Sequence, residues 1–445
     1  MKLPSYVRQC MNTLEAAGHS VYAVGGCVRD WLLGLTPQDF DLCTSALPEQ
    51  LQQIFADQEL VLAGVKHGTV GVVCSGDVVE ITTYRTEGGY ADSRHPDWVR
   101  FVDRIEDDLA RRDFTVNAMA WSPSRGLKDP FGGVSDLNQG ILRAVGTPRQ
   151  RFQEDALRIL RGARFGARFR LQPEDRTYEA MIQCAPLMDD LARERVFSEL
   201  CKLLMAATEE DLLRYAPIVT QVIPELKPAV GFDQHSRHHA YDLYTHIAHV
   251  TASVPKALPL RWAALLHDVG KPGTFTRDAQ GQGHFYGHAQ EGAILTHEIL
   301  RRLKAPTELR EQVTTLVAQH MTPLLPQRKV LRRRLSRLGV PLTQSLLELQ
   351  QADMGSKGTG LHPEETEHFR QVRLLMDQLL EEDACLTLRD LAVNGRDLMQ
   401  LGIPAGKELG KCLQNLLDAV LDEALPNEKE PLLEAAKGFL EQART

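Results

Sequence analysis

The sequence lacks several features that define whole classes of protein. No apolar run in its 445 residues approaches the about 18 residues of a membrane span, and the mean hydropathy is −0.26. The eight cysteines include no Cys-x-x-Cys pair and no spacing typical of a zinc site. Residues 1–20 contain no signal-peptide apolar region and predict an amphipathic helix. These absences favour a cytoplasmic protein with reduced thiols.

Charge of one sign is also not in large excess. The chain carries 51 basic and 59 acidic residues, a net charge of −8. This balance argues against a surface covered with nucleic-acid-binding charge, but it leaves room for local basic stripes. The length suggests about three domains, and a hydrophobic content of 43% is enough for several cores.

The pattern of apolar residues predicts an α+β protein with a mixed α/β head and an all-helical body. Short apolar runs predict strands at 21–25, 39–44, 69–74, 78–84 and 99–102. Helices are predicted at 29–33, 47–55 and 105–120. Beyond residue 150 helical periodicity dominates as far as residue 442. Joints rich in proline and glycine interrupt it near 224–231, 270–287, 322–327 and 355–364.

Two aspartates, Asp39 and Asp41, follow a glycine-rich turn with the sequence GGCVRD. Because strand residues i and i+2 point the same way, the two carboxylates would share one face about 7 Å apart. Mg²⁺ binds carboxylates together with substrate phosphate oxygens. The turn offers backbone N–H groups and Arg29 to a phosphate. The pattern predicts a nucleotidyl-transfer site, where two Mg²⁺ ions would activate a 3′-hydroxyl and stabilise departing pyrophosphate.

Two further features near this site have two interpretations each. Glu80 becomes a third metal-binding carboxylate if its strand lies beside the aspartates, but an exposed glutamate of an edge strand explains it equally well. Arg111 and Arg112 resemble the solvated arginines found on many helices. Near a triphosphate, however, guanidinium groups match the geometry of phosphates.

Residues 154–164, EDALRILRGAR, form the most informative predicted helix. Asp155, Arg158, Arg161 and Arg164 recur every three residues along one side of it. An intrahelical salt bridge worth about 0.3–0.5 kcal/mol is one explanation. A base template is the other, because a carboxylate accepts from the exocyclic amine of cytosine or adenine while a guanidinium donates to the adjacent ring nitrogen. Guanine and uracil present the opposite groups and would be rejected.

Five motifs resemble those of class II tRNA nucleotidyltransferases and bacterial poly(A) polymerases, in the same order and spacing. They are GGCVRD, the Asp-x-Asp pair, RRDFTVNAMA, DPFGGVSDLNQGILRAVG and EDALRILRGARF. The resemblance covers the whole chain. It implies that Gly26 and Arg29 contact nucleotide, that Asp39 and Asp41 bind Mg²⁺, and that residues 193–202 form a neck helix supporting the template helix. It also implies a nucleotide pocket lined by Arg112, Asp155, Arg158, Arg161 and Arg164.

The resemblance also bears on the product of the reaction. Residues 85–96 resemble the flexible loop with which CCA-completing enzymes switch from C to A addition. Residues 393–402, followed by Gly406 and Gly410, resemble the tail of CCA-adding enzymes with a helical tRNA-binding region. We therefore predict template-independent addition of C, C and A to tRNA from CTP and ATP. A poly(A) polymerase, which would typically carry a long basic tail, is the alternative.

A second set of residues resembles the HD phosphohydrolase superfamily. His267 and Asp268 are adjacent, and the ordered pattern is completed by His246, His288, His320 and Asp353. The resemblance implies helices that converge on a mono- or dinuclear metal site, where activated water attacks a phosphoester. Such ligands suit Ni²⁺, Mn²⁺ or Fe²⁺ as well as Mg²⁺. A hydrolase whose head only binds RNA is therefore a rival interpretation, although the intact Asp-x-Asp pair argues against it.

These features predict four domains. They are a nucleotidyltransferase head at 1–150, a helical neck at 151–225, an HD domain at 226–356 and a helical tRNA-binding tail at 357–445. The basic run at 328–337 either binds tRNA phosphates or forms a solvated helix face. If it binds RNA, the affinity should fall with salt.

Overall fold

The structure, a computed structural model, describes residues 1–74, 76–88, 98–235, 241–358, 360–382 and 385–444. It divides into two compact units, the first comprising residues 1–227 with 302–304 and the second comprising 228–301 with 305–445. The finer division into four domains stays a prediction. Within the described ranges, no helix is long and apolar enough to cross a membrane.

The described residues of the first unit form eleven strands, most of which are short. They are β1 (Val21–Val24), β2 (Asp41–Thr44), β3 (Leu60–Val61), β4 (Thr69–Cys74), β5 (Asp77–Thr83), β6 (Arg85–Gly88), β7 (Trp98–Phe101), β8 (Ala120–Ser122), β9 (Gly126–Lys128), β10 (Ile141–Leu142) and β11 (Gln172–Pro173). Seven of them form one mixed sheet in the order β3-β4-β5-β2-β1-β8-β9. Strand β2 pairs in parallel with β5 and antiparallel with β1.

Helices surround this sheet and then continue the chain. The unit's α-helices are α1 (Ser5–Ala16), α2 (Gly26–Leu32), α3 (Pro48–Ile54), α4 (Ile105–Ala110), α5 (Gly133–Gln139), α6 (Pro148–Glu154), α7 (Leu157–Phe169), α8 (Asp175–Cys184), α9 (Arg193–Ala206), α10 (Glu209–Arg214) and α11 (Ala216–Val222). Short 3₁₀ helices lie at Val65–His67, Thr115–Asn117, Ala185–Asp190 and, at the boundary of the two units, Pro224–Ala229.

The core of the head holds β1 and β2 in place. All four residues of β1 are buried, as expected for a central strand covered on both faces. Tyr22 and Val24 join a buried cluster with Cys43 of β2 and Leu109 of α4. The register places Val24 opposite Asp41, so the first residue of β2 lies beside the point where β1 ends.

The sequence-based prediction of a helix over 105–120 is wrong. Helix α4 ends at Ala110, and the chain then passes through the 3₁₀ turn Thr115–Asn117 into β8. Residues 113–120 are all buried, so this segment has no exposed face. Periodicity cannot distinguish such a fully buried connection from a buried helix.

Where the structure describes it, the second unit is helical apart from one small hairpin. Its helices are α12 (Leu243–Ser253), α13 (Leu258–Leu266), α14 (Lys271–Thr274), α15 (His288–Arg302), α16 (Thr307–Gln319), α17 (Arg328–Leu338), α18 (Val340–Gly355), α19 (Pro363–Glu381), α20 (Gly395–Gln400), α21 (Lys407–Leu421) and α22 (Lys429–Arg444). Strands β12 (Thr276–Arg277) and β13 (Gly283–His284) form the hairpin just before α15. Helices α12, α13, α16 and α18 pack against one another.

Candidate active site and candidate metal centre

The turn after β1 brings Arg112 next to Asp41. Gly25 has φ of +70°, a conformation that favours glycine. A Cβ at Gly25 would lie 2.6 Å from Nη1 of Arg112, so a side chain there would displace the guanidinium. Because Val24 pairs with Asp41, this turn, Arg112 and the carboxylate lie at one edge of the sheet.

Carboxylates converge at this edge. Asp41 begins β2, whose next residue, Leu42, pairs with Ile81 of β5. The register therefore brings Glu80 beside Asp41. Although Asp41 is exposed as a residue, desolvation of its carboxyl raises its pKa, as do the negative charges of Glu80 and Asp39, while Arg112 opposes the rise. A bound cation would relieve this repulsion, and oxygen donors of this kind fit Mg²⁺.

The structure corrects one part of the prediction for this pair. Asp39 lies two residues before β2, outside the strand. The strand alternation that was expected to align Asp39 with Asp41 therefore does not apply to it. Both residues are exposed, and the charge of Asp39 still acts on Asp41.

Arg29 lies in α2, and its guanidinium group is hydrogen-bonded to other residues of the protein. It is buried, donates from Nε and Nη2 to Asp30 at 2.9 and 2.6 Å, and donates from Nη1 to Asn117 at 2.5 Å. Its Cζ lies 4.1 Å from the ring centroid of Phe169. A contact of Arg29, or of Gly26 at the start of α2, with nucleotide stays a prediction.

Asp108 orients the arginine pair and was missed in the sequence. Its carboxylate is fully buried and lies 3.0 Å from Arg111 and 3.5 Å from Arg112. Burial alone would raise the pKa of Asp108, but the two guanidinium groups hold it below its ordinary value. The spacing of three and four residues between Asp108 and the two arginines was the signal that could have identified it. Arg111 also binds Glu87 of β6 at 3.1 Å.

The predicted helix over 154–164 is interrupted at Asp155. Helix α6 ends at Glu154 and α7 begins at Leu157, and Asp155 between them has an extended backbone. Its Oδ1 accepts from the Leu157 amide at 3.0 Å, and its Oδ2 lies 3.1 Å from Nη2 of Arg195. Asp155 thus caps α7 and is also bound to the helix predicted as the neck, α9.

The side chains of Arg158 and Asp155 do not form the intrahelical salt bridge that was one explanation of their spacing. The guanidinium of Arg158 binds Glu154 at 2.8 Å and donates to the carbonyl oxygens of Arg151 and Arg111, both at 3.1 Å. The residue is buried. The side chain thus joins α7 to α6 and to the end of α4.

The other two arginines of this stripe bind carboxylates of neighbouring segments. Arg161 donates from Nε and Nη2 to Asp113 at 2.9 and 2.6 Å. Nε of Arg164 lies 2.7 Å from Glu199 of α9. The side chain of Arg161 remains 36% exposed, whereas that of Arg164 is only 10% exposed. Of the two, Arg161 is the more accessible to a ligand.

The strands β6 and β7 frame the segment predicted as the flexible loop. They pair antiparallel from Arg85 opposite Phe101 to Gly88 opposite Trp98. Residues 89–96, the rest of the predicted loop, lie outside the described residues. Its role in switching from C to A addition stays a prediction.

The six predicted HD residues come together in the second unit. They lie in α12 (His246), directly after α13 (His267 and Asp268), at the start of α15 (His288), directly after α16 (His320) and in α18 (Asp353). Two groups of three have ligand atoms that all lie within 4.8 Å of one another: His246, His267 and Asp268, and Asp268, His288 and His320.

Asp268 is the common member of this cluster. Its Oδ2 lies 3.2 Å from Nε2 of His267 and 3.5 Å from Nε2 of His246. Its Oδ1 lies 3.5 Å from Nε2 of His288 and 3.7 Å from Nε2 of His320. One carboxylate therefore bridges two pairs of imidazoles, an arrangement that a dinuclear site would use.

Asp353 completes the first pair. Its Oδ1 lies 3.0 Å from Nε2 of His246 and 3.9 Å from Nε2 of His267. Burial would raise the pKa of Asp353, but its hydrogen bond with His246 and the charge of His267 hold the pKa far below its ordinary value.

Every histidine of the cluster is oriented through its other nitrogen. Each Nδ1 lies 2.7–3.3 Å from a backbone carbonyl oxygen, that of Ser356 for His246, Ala264 for His267, Phe285 for His288 and Val317 for His320. A carbonyl accepts only from a protonated nitrogen, so each Nδ1 carries a proton, and Nε2, which is directed at the carboxylates, is the nitrogen that would lose its proton to bind a metal. Metal-binding histidines are oriented in this way. The imidazole and carboxylate donors fit a transition metal.

Lys271 was not assigned in the sequence, although it follows Asp268 by three residues. Its Nζ lies 2.6 Å from Oδ2 of Asp268 and donates to Gln234 at 3.0 Å. Burial would raise the pKa of Asp268, but the positive charges of His267 and Lys271 hold it well below its ordinary value. Lys271 thus places a buried positive charge beside the cluster.

The basic run is largely paired within the second unit. In α17, Arg328 binds Glu382 at 2.6 Å and Glu423 at 2.9 Å, and Arg333 binds Asp422 at 2.5 Å. These arginines hold the ends of α19 and α21 against α17. This favours a structural role for part of the run over the contact with tRNA phosphates.

Three family profiles match the chain. The family described as "Poly A polymerase head domain" matches residues 21–143, and "Probable RNA and SrmB- binding site of polymerase A" matches residues 170–230. The family described as "tRNA nucleotidyltransferase domain 2 putative" matches residues 293–436.

Whole proteins match along their full length. The CCA-adding enzyme of Streptococcus sanguinis (strain SK36) is 34% identical over 449 residues, covering 99% of this chain and 99% of that protein. That of Latilactobacillus sakei subsp. sakei (strain 23K) is 31% identical over 441 residues, covering 96% of each.

Solved structures share the fold. The Bacillus stearothermophilus CCA-adding enzyme in complex with CTP has a TM-score of 0.71 at 28% identity and covers 100% of this chain and 99% of that one. The Thermotoga maritima CCA-adding enzyme complexed with tRNA has a TM-score of 0.60 at 22% identity, covering 98% and 96%.

Proposed function

The chain belongs to the family of CCA-adding enzymes, and on that premise we propose that it adds C, C and A to tRNA 3′ ends from CTP and ATP without a nucleic-acid template. The observation that carries the proposal is the edge of the sheet where Asp41, Glu80 and Arg112 meet beside the glycine turn. In the reaction, the tRNA 3′-hydroxyl attacks the α-phosphate of the nucleotide and pyrophosphate leaves.

Enzymes of this family are metal-dependent, and we propose Mg²⁺ as the metal, held by Asp39 and Asp41 with Glu80 as a further ligand. Bound there, Mg²⁺ would lower the pKa of the attacking hydroxyl and stabilise charge on the departing pyrophosphate. Arg112 lies against the glycine turn and supplies a guanidinium for the triphosphate. Asp108 positions that guanidinium.

We assign base selection to Asp155 and Arg158. The carboxylate accepts from the exocyclic amine of cytosine or adenine, and the guanidinium donates to the ring nitrogen beside it. Each group has protein partners in the described structure, so binding a base requires an exchange of partners at Glu154 and Arg195. Arg161, the more exposed arginine, faces the same side of α7.

A tRNA transcript that ends before CCA tests this function. With CTP alone we expect two added nucleotides, and with CTP and ATP one further A, whereas UTP and GTP should give none. Asp41→Asn should abolish addition while the protein stays folded. Long tails made from ATP alone would instead identify a poly(A) polymerase.

A second function is favoured by the histidine cluster around Asp268. We propose that it binds a divalent transition metal and hydrolyses phosphoesters. The carrying observation is that four imidazoles, each oriented by a backbone carbonyl, direct Nε2 at carboxylates of Asp268 and Asp353. With metal bound, the site would supply activated water for attack on phosphorus.

The test compares His267→Ala/Asp268→Ala with His297→Ala, which changes a half-exposed histidine of the same unit. Bound metal and hydrolysis of 2′,3′-cyclic nucleotides or phosphorylated RNA ends should disappear only in the double variant, and CCA addition should survive in both. A wild type that binds no transition metal and hydrolyses none of these substrates would contradict the assignment.

A further inference from the structure

Tyr286 is the most exposed large apolar side chain in the described part of the protein, at 78% of its full accessibility. A single exposed apolar side chain is common at protein surfaces, so the neighbours of the ring decide what it can do. The ring is not isolated, because it stacks on His284 with a centroid distance of 5.4 Å and an interplanar angle of 11°. One face of the tyrosine is therefore covered, and the other is open.

The turn of the β12–β13 hairpin fixes this stack. Nε2 of His284 lies 2.9 Å from Oδ2 of Asp278. The other carboxylate oxygen of Asp278 accepts from the amides of Gln280 and Gln282 at 3.0 and 2.9 Å. The supporting imidazole is thus held before any ligand arrives. A preordered ring loses less conformational entropy when a second ring stacks on it.

In the chain, the stack lies directly before His288 of the histidine cluster. Phe285, next to Tyr286, provides the carbonyl that binds Nδ1 of His288 at 2.7 Å. The ring of Phe285 lies 5.3 Å from Nζ of Lys271, the cation that contacts Asp268. Tyr286 therefore follows directly after Phe285, which contacts both the predicted metal ligand His288 and the positively charged Lys271, a group suited to binding a phosphate.

Gly270 and the first turn of α15 fix this segment against the cluster. A Cβ at Gly270 would lie 2.4 Å from the carbonyl oxygen of His288 and 2.6 Å from the amide of Gly292. Only glycine permits this approach, which packs the His267–Asp268 segment against the helix that follows Tyr286. These backbone contacts fix the first turn of α15, which begins two residues after Tyr286, against the His267–Asp268 segment.

We propose that Tyr286, supported by His284, is the base-stacking platform of the HD site, so that a nucleotide binds with its phosphate at the histidine cluster and its base on the tyrosine. This rests on the proposed phosphoesterase function and names the residue that binds the base of its substrate. Stacking on an aromatic ring tolerates any base, because every base has a π face. For a 2′,3′-cyclic phosphate, water adds its oxygen to phosphorus, the bond from phosphorus to one ribose oxygen breaks, and a water proton passes to that oxygen.

The test compares guanosine 2′,3′-cyclic phosphate with the methyl riboside 2′,3′-cyclic phosphate, which has no base. Guanosine is chosen because the head is expected to reject guanine. We expect wild type to prefer the nucleotide in kcat/KM, Tyr286→Phe to retain the preference, and Tyr286→Ala to reduce it by about tenfold through a higher KM. The matched control is Ile294→Ala, which removes the exposed side chain of a residue in α15, the helix that follows Tyr286. It should keep the preference.

Binding gives a readout that does not depend on turnover. Calorimetric titration with guanosine 3′-monophosphate should show tighter binding than ribose 3-phosphate in wild type, and Tyr286→Ala should remove the difference. Equal binding of the two compounds by wild type, or an unchanged preference in Tyr286→Ala, would overturn the platform. If neither cyclic phosphate were hydrolysed while the base-dependent binding persisted, the phosphoesterase function would fail and the platform would stand.

Discussion

Arg161 binds Asp113 through two nitrogens of one guanidinium, with Nε at 2.9 Å and Nη2 at 2.6 Å from the same carboxylate oxygen. The other oxygen of Asp113 accepts from the Phe114 amide and from the side chain of Asn117, at 2.8 and 3.0 Å. Asn117 also accepts from Arg29. A single buried carboxylate therefore joins α7 to the turn before β8. Through Asn117 it is also connected to α2, the helix that follows the glycine turn.

This arrangement predicts a pH dependence of stability. Burial would raise the pKa of Asp113, but Arg161 and the hydrogen bond from Asn117 lower it from 3.8 to about 2. A depressed pKa means that the stabilisation is fully present above the ordinary pKa and is lost as the pH falls through the folded value. Since the side chain of Arg161 is 36% exposed, we expect a contribution of only about 1–2 kcal/mol.

The measurement is urea unfolding of wild type and Asp113→Asn across this range. The variant should be less stable at neutral pH by about 1–2 kcal/mol, and the difference should shrink between about pH 4 and about pH 2, where wild type takes up the proton. A difference that stays constant over that range would show that Asp113 stabilises the fold by some means other than its charge.

Substitutions of Asp155 and of Arg158 should both alter base choice, and that of Arg158 should also lower stability. Asp155→Ala removes the acceptor for the exocyclic amine, which typically costs about 1–3 kcal/mol in a desolvated pocket. The preference for CTP and ATP over UTP and GTP should therefore fall by about tenfold or more. The measurement is incorporation of each nucleotide separately into a tRNA lacking its 3′ end.

Arg158→Ala should alter base choice and, in addition, lower the melting temperature. Its guanidinium binds Glu154 and two backbone carbonyls, and these three bonds would be lost, although Glu154 keeps its ion pair with Arg151. Glu154→Gln is the matched control, because it weakens the ion pair without touching the base-reading groups. Should Arg158→Ala lose rate with all four nucleotides alike, Arg158 would be a structural residue only.

Site residues could be predicted from the sequence where the residue types that identify them stand close together or in a fixed order along the chain. The glycine turn after β1 and a strand that contains Asp41 follow from turn residues and apolar runs, although the predicted strand began at residue 39 and the observed one begins at Asp41. The six HD residues were identified as an ordered set, and the structure brings all six together. These features depend on residue types and their order along the chain, which a sequence displays directly.

Partners from distant segments were not readable. Arg158 donates to the carbonyl of Arg111, 47 residues away. Nothing in the spacing of Asp155 and Arg158 indicates that α6 ends just before Asp155 and that α7 begins only at Leu157. Tertiary contacts decide where this helix breaks and which carboxylate each arginine binds, because the Asp113 and Glu199 carboxylates are supplied by other elements.

Glu80 should control the metal requirement of the head. Its charge adds to the repulsion at Asp41, which a bound divalent cation would relieve. Glu80→Gln should therefore raise the Mg²⁺ concentration needed for half-maximal addition by several-fold. Asp77→Asn, an exposed acidic residue at the start of the same strand, is the control and should leave it unchanged. Equal Mg²⁺ requirements for wild type and Glu80→Gln would assign Glu80 to the exposed surface.

Gly25→Ala should disrupt nucleotide binding through Arg112. The backbone there has φ of +70°, and the new Cβ would lie 2.6 Å from Nη1 of Arg112. The guanidinium must move, so we expect KM to rise for CTP and ATP alike, because a triphosphate contact serves every nucleotide. The positive φ itself costs about 1–2 kcal/mol of stability.

Gly34→Ala separates these two effects, because Gly34 has φ of +73° but no atom within 4 Å of the added Cβ. Both variants should lose similar stability in thermal unfolding, while only Gly25→Ala should raise KM. The rise should also be uniform across nucleotides, in contrast to Asp155→Ala, because the displaced group contacts phosphate and not the base. If Gly34→Ala raised KM as much as Gly25→Ala, backbone strain would explain the higher KM. Displacement of Arg112 would then not be its cause.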